Sequence, residues 1–143
     1  MPGRSGATAA PSEASLNGFG NEYNYAESLG LSSTTSQTYQ QKVRLNATLQ
    51  GGIYRLSWAF IWGNSSPSRN TLVQLEQDDT TQLWETETAP QDGNATQRSS
   101  GGGFRQLVLG AGTYFWDMDF RTSGGPGTAR IQTAVVEIFK VSN

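Results

Sequence analysis

The chain has 143 residues, ten basic and twelve acidic side chains, a net charge of −2, and neither cysteine nor histidine. That length suits one domain. The missing cysteines exclude disulfides and thiolate chemistry, and the missing histidines remove the commonest general base and transition-metal ligand.

Neither charge sign forms a run, so no basic face for nucleic acid is expected. No uninterrupted apolar run approaches the length of a membrane-spanning helix. Met1-Pro2-Gly3-Arg4 leads into small and polar residues without an apolar stretch, so no signal peptide is expected. Residues 1–15 are rich in Gly, Ala, Ser and Pro and lack periodicity, a composition that does not order itself. Residues 17–37 carry Phe19, Tyr23, Tyr25, Leu29 and Leu31 at spacings that suit neither helix nor strand, and read as an extended lead-in lying across the domain or a neighbour. Residues 1–37 are therefore predicted to be an arm and lead-in, and residues 38–143 the domain. Phe19, Tyr23 and Tyr25 are candidates for contact with a partner.

From residue 39 the text alternates. Val43, Leu45, Ala47 and Leu49 point one way while Lys42, Arg44, Asn46 and Thr48 point the other, which marks a strand with one wet face. Gly51-Gly52 supplies a turn. Residues 53–62 put Tyr54, Leu56, Trp58, Phe60 and Trp62 on one face and a mixed set on the other, the pattern of a central strand. Residues 71–77 alternate with Val73 and Leu75 inward. Asp78 to Thr81 form an acidic turn, and residues 82–88 follow with Leu83 or Trp84 as anchor.

Residues 89–103 lack core side chains and are expected to be the most exposed loop. A short strand at 104–109, a Gly110-Ala111-Gly112 turn and a strand at 113–120 come next. The last of these places Tyr114, Trp116, Met118 and Phe120 together. Residues 129–141 change phase between Ile131 and the set Ala134, Val136 and Ile138, which one β-bulge near Gln132-Thr133 would repair. Seven or eight short strands separated by turns predict an antiparallel, jelly-roll-like β-sandwich. Its expected core is Tyr54, Leu56, Trp58, Phe60, Val73, Leu75, Tyr114, Trp116, Met118, Phe120, Ile131, Val136 and Ile138.

Candidate sites are few. Asp117 and Asp119 share one strand face with Arg121; an acid/base pair or half a calcium site is conceivable. A solvated face paired with Arg130 or Arg55 is preferred. Glu76, Asp78 and Asp79 could hold a hard cation, but Asp and Thr favour tight turns for their own hydrogen bonds, and the turn is preferred. Trp58, Trp62 and Trp116 lie at core parity, which outweighs a sugar-stacking platform. Trp84, flanked by Gln82, Glu85 and Thr86, is the aromatic expected to meet a partner. The three Asn-X-Ser/Thr matches at Asn46, Asn64 and Asn94 fit chance in so polar a chain, and the glycine runs at 101–103 and 124–125 read as turns rather than phosphate loops. No cofactor and no metal are expected.

The phrases SSTTSQTYQQKVRL, GGIYRLSWAFIWGNSS, LVQLEQDDTTQLWE, GAGTYFWDMDFRTSGG and TARIQTAVVEIFKV together resemble a group of small β-sandwich virion structural proteins of tailed bacteriophages. The likeness covers residues 32–141, with the hairpin motif expanded around Glu76-Gln77. It rests on core alternation and turns, so it specifies a fold better than a role. It implies a virion part: a head decoration (cement) protein, a head fibre or a tail accessory. The corresponding expectation is a non-enzymatic homotrimer on the capsid surface, assembled in the bacterial cytoplasm. Its partners would be the major capsid protein and itself. A tail or fibre module that binds a host receptor or carbohydrate is the alternative.

Overall fold

The computed structural model describes residues 22–90 and 98–143, so Phe19 and the expectations for the first fifteen residues lie outside the described residues. Nine strands follow one another without a helix among the described residues: β1 (Asn24–Ser28), β2 (Ser32–Thr34), β3 (Gln40–Leu49), β4 (Gly52–Asn64), β5 (Thr71–Gln77), β6 (Thr81–Thr88), β7 (Ser99–Leu109), β8 (Gly112–Thr122) and β9 (Ala129–Ser142). They form two antiparallel sheets. One has the order β1-β9-β4-β7, with β2 also pairing with β9; the other has the order β3-β8-β5-β6.

Alternation fixes what lies between the sheets. Tyr54, Leu56, Trp58, Phe60, Val136 and Ile138 from the first sheet meet Leu45, Val73, Leu75, Trp116, Met118 and Phe120 from the second, all buried. The expected core is found there, with Ile131 beside it, but Tyr114 is only half-buried. Its ring stacks on Trp116 at 5.9 Å and its hydroxyl donates to the Gly110 carbonyl. A polar tip so close to the β7–β8 turn keeps that side chain at the margin of the sandwich.

The phase change in the last strand is a bulge. Thr133 has φ 52°, and the β4 register slips between Ala59 opposite Val135 and Ile61 opposite Gln132. One extra residue thereby returns Ile131 and Ala134 to the same side. At the acidic turn Asp78 and Asp79 have φ 54° and 57°. The Asp78 carboxylate accepts the Phe115 amide and the Thr80 amide donates to Gln77, so these aspartates serve the hairpin.

Two readings change. The lead-in is extended, and from Asn24 it is part of a sheet: β1 and β2 both pair with β9. Its inward residues are Asn24, Ala26 and Ser28, too polar and small for a strand pattern to show in the sequence. The expected loop at 89–103 is shorter, because β7 starts at Ser99 and pairs with β4 along its whole length. Gly101 and Gly103 are strand residues, not a turn. A Cβ on Gly101 would lie 2.5 Å from the Phe60 ring, and one on Gly103 would lie 3.2 Å from Trp58. The glycines leave room for aromatic rings that read as independent core residues.

Gly101→Val is accordingly expected to destabilise the fold by about 1–3 kcal/mol, the usual cost of overpacking. Phe60 is buried and packs against Trp84, which restricts where its ring can go. A chemical-denaturation midpoint equal to that of the parent would show that the ring moves freely.

Candidate assembly surface

The two outer faces of the sandwich differ in chemistry. On the β3-β8-β5-β6 sheet the outward side chains are mostly polar and bonded to one another, and the apolar exceptions, Leu72 and Phe115, are buried or half-buried. Arg44 grips Asp117 with two hydrogen bonds of 2.6 and 2.7 Å, reaches Asp79 at 3.1 Å, and lies over the Phe115 ring. The Gln74 amide donates to Asp119 at 2.8 Å and accepts from Gln82. Tyr39 donates to Glu85 and lies under Arg121.

Asp117 and Asp119 are therefore not the solvated pair expected from alternation. They are 2% and 6% exposed, and the partner of Asp117 is Arg44 rather than Arg55 or Arg130. Asp117 lies on β8, opposite Arg44 on the neighbouring β3. Burial pushes the Asp119 carboxyl above its ordinary pKa, with Gln74 opposing. Glu76, Asp79 and Asp117 do bring carboxylate oxygens within 4.8 Å of one another. Arg44 already neutralises two of the three. The arrangement is an ion network satisfied by Arg44 and Gln74.

The β1-β9-β4-β7 sheet presents the opposite picture. Register places four rows on its outer side. Ile53 and Val108 lie beside Ser142, with Val141 at the register shift next to it. Arg55 and Gln106 lie beside Phe139. Ser57 and Phe104 lie beside Glu137 and Tyr25, and Ala59 and Gly102 lie beside Val135 and Glu27. Phe104 is 61% exposed, Val108 82%, Tyr25 57% and Tyr23 45%. Tyr23 and Tyr25 rings pair at 6.1 Å, and the Tyr23 hydroxyl donates to Glu137. Arg55 lies flat on Phe104 at 3.7 Å. Ser57, Ala59, Val135 and Glu137 line a shallow, open depression in the middle of the face. Of the seven large apolar side chains exposed among the described residues, five belong to this face; Leu29 and Leu31 lie in the β1–β2 connection. Contiguous exposed apolar surface of this kind marks an interaction site.

Of the expected partner residues, Tyr23 and Tyr25 lie on this face. Trp84 does not: it is half-buried, with its ring 5.3 Å from Trp58 and 6.1 Å from Phe60, and it extends the core. Glu85 belongs to the other side of this edge strand, whereas Thr86 shares the side of Trp84, opposite Val73. Phe104, Val108 and Val141 carry most of the exposed surface and were not singled out from the sequence. The available signal was that both parities of residues 104–109 include apolar side chains, as does the mixed outer set of β4.

No protein-family model matches the sequence, and no curated protein matches it. The fold does have solved counterparts. Eiger TNF from S. frugiperda superposes with a TM-score of 0.58 over 85% of this chain and 94% of that one, at 10% identity. The globular domain of zebrafish complement 1qA protein gives 0.52 over 85% and 99%, at 13% identity. The chain is a jelly-roll sandwich. Identities this low establish the architecture and carry nothing about the role.

Proposed function

We propose that this chain is a virion structural protein of a tailed bacteriophage, a head decoration protein that acts by binding and assembly and has no catalytic role. The observation that carries the binding reading is the contrast between the two outer faces, one self-satisfied and polar, the other apolar and exposed. The virion role rests on the motif resemblance over residues 32–141. The division of labour follows from composition. The jelly roll forms oligomers, with a trimer as the expected state, and the segment before Glu22 holds the major capsid protein. Many weak contacts multiplied over an oligomer offset the entropy such a segment loses on binding.

Deletion tests this. Protein lacking residues 1–21 is expected to keep its β fold and lose most of its occupancy on capsids, read by co-sedimentation with particles. Occupancy equal to that of the full chain would refute the role of the segment. The tail or fibre reading is tested by the same particles: antibody labelling confined to the tail would favour it.

A further inference from the structure

We infer that the outer face of the β1-β9-β4-β7 sheet is occupied by a second copy of this chain, with the β7 side chains Phe104 and Val108 of one copy seated on the floor formed by Ser57, Ala59 and Val135 of the next. This rests on the self-assembly half of the reading above and assigns its surface.

Three observations point to a copy of the chain rather than a foreign partner. The first is shape. The face has a raised end, which is its β7 edge, and a flat middle: Phe104 and Val108 on β7 are its most exposed apolar residues, whereas Ser57 and Ala59 on the neighbouring β4 are small and line the depression, Phe104 standing directly beside Ser57. Raised end and floor are complementary, and they lie on one surface. A contact that joins two different parts of one surface is heterologous, so it propagates from copy to copy and closes into a ring when the rotation allows.

The second is extent. Four strands about 4.8 Å apart and rows about 6.6 Å apart give roughly 400 Å² before side-chain relief. That area counts Arg55, Gln106, Ser57, Glu27 and Glu137 together with the apolar side chains, and in a ring the floor and the raised end of each copy are both covered. The third is charge. Glu27 and Glu137 face the same side as Arg55 and Arg130, so the face carries both signs and two copies meet without net repulsion. The charges on Arg55 and Glu137 are already engaged by Phe104 and Tyr23, which lowers the cost of covering them.

A mixing experiment on the full-length chain tests the geometry. Phe104→Asp/Val108→Asp disables the raised end, and Ala59→Arg disables the floor. These residues lie on the outer face, and circular dichroism verifies that each variant keeps its β spectrum. By analytical ultracentrifugation at tens of micromolar, the parent is expected as a closed oligomer and each variant alone as a monomer. An equimolar mixture of the two variants is expected to form a dimer and nothing larger, because one intact raised end and one intact floor remain. Monomers in the mixture would show a like-to-like contact and overturn the assignment. Variants that assemble as the parent does would also overturn it, while leaving self-assembly standing. A monomeric parent would remove self-assembly itself.

Discussion

Trp116→Ala is expected to lower the unfolding free energy by about 3–5 kcal/mol, the cost of deleting a large aromatic from a closed core. Trp116 is fully buried, stacks on Tyr114 and donates its indole N–H to the Gln77 side chain at 3.0 Å. It stands on β8, which pairs with β3 on one side and β5 on the other. Its loss opens a cavity between the sheets and leaves Gln77 without its donor. Against a total of about 5–15 kcal/mol for a domain of this kind, that is a large share of the stability. Urea denaturation of the purified variant measures the difference; a loss under about 1 kcal/mol would mean that the sheets close over the gap.

Glu22→Ala and Lys140→Met are each expected to cost about 3–5 kcal/mol, and the double variant less than their sum. Glu22 and Lys140 form an ion pair of 2.7 Å, with both side chains under a tenth exposed. Glu22 also accepts from the Tyr54 hydroxyl at 2.6 Å and the Gln50 amide at 2.9 Å. Either single change strands a buried charge, whereas removing both leaves none. Burial alone would raise the Glu22 carboxyl, but the bonds from Lys140, Tyr54 and Gln50 outweigh it and hold the pKa below the ordinary value of 4.5. The direction of the pH effect follows. A carboxylate whose pKa is lowered by folding contributes its stability above the unfolded value, and that stability is lost as pH falls through the folded one. Asp119 shifts the other way, so its contribution has the opposite sign. Comparing the parent with Glu22→Gln cancels Asp119. The gap between their stabilities is expected to narrow in acid below pH 4.5, measured by denaturant midpoints; a gap constant with pH would show that Glu22 is not the titrating group.

The sequence displayed the sandwich because its core is written at period two. Leu45, Leu56, Val73, Met118 and Val136 each sit in a run of large apolar side chains at every second position. Even the bulge at Thr133 was legible, since a single inserted residue inverts the parity of everything after it. Contacts distant in sequence were not legible. Nothing around Glu22 announces a lysine more than a hundred residues away, and nothing in a glycine triplet announces the rings of Phe60 and Trp58 on the next strand. Trp84 is a case of the same kind: Gln82, Glu85 and Thr86 near it in the chain are polar, but its neighbours in space include Trp58 and Phe60.

The assembly surface falls between these cases. Tyr23 and Tyr25 stood out as aromatics in a polar stretch. Phe104 and Val108 could not be told from core residues until the register with Ser57 and Ile53 showed which way they point. A strand with apolar side chains at both parities can be buried on both sides or exposed on one, and only the layer count of the fold decides. Here the sandwich has two layers, so the outer set faces outward.

Electron microscopy of particles carrying this protein tests its place most directly. The expected image shows rings of jelly rolls on the outside of the capsid, each turning its β1-β9-β4-β7 sheet toward the neighbouring copy and its Glu22 end toward the shell. Isolated copies with that sheet turned to solvent, or density found only on the tail, would contradict it.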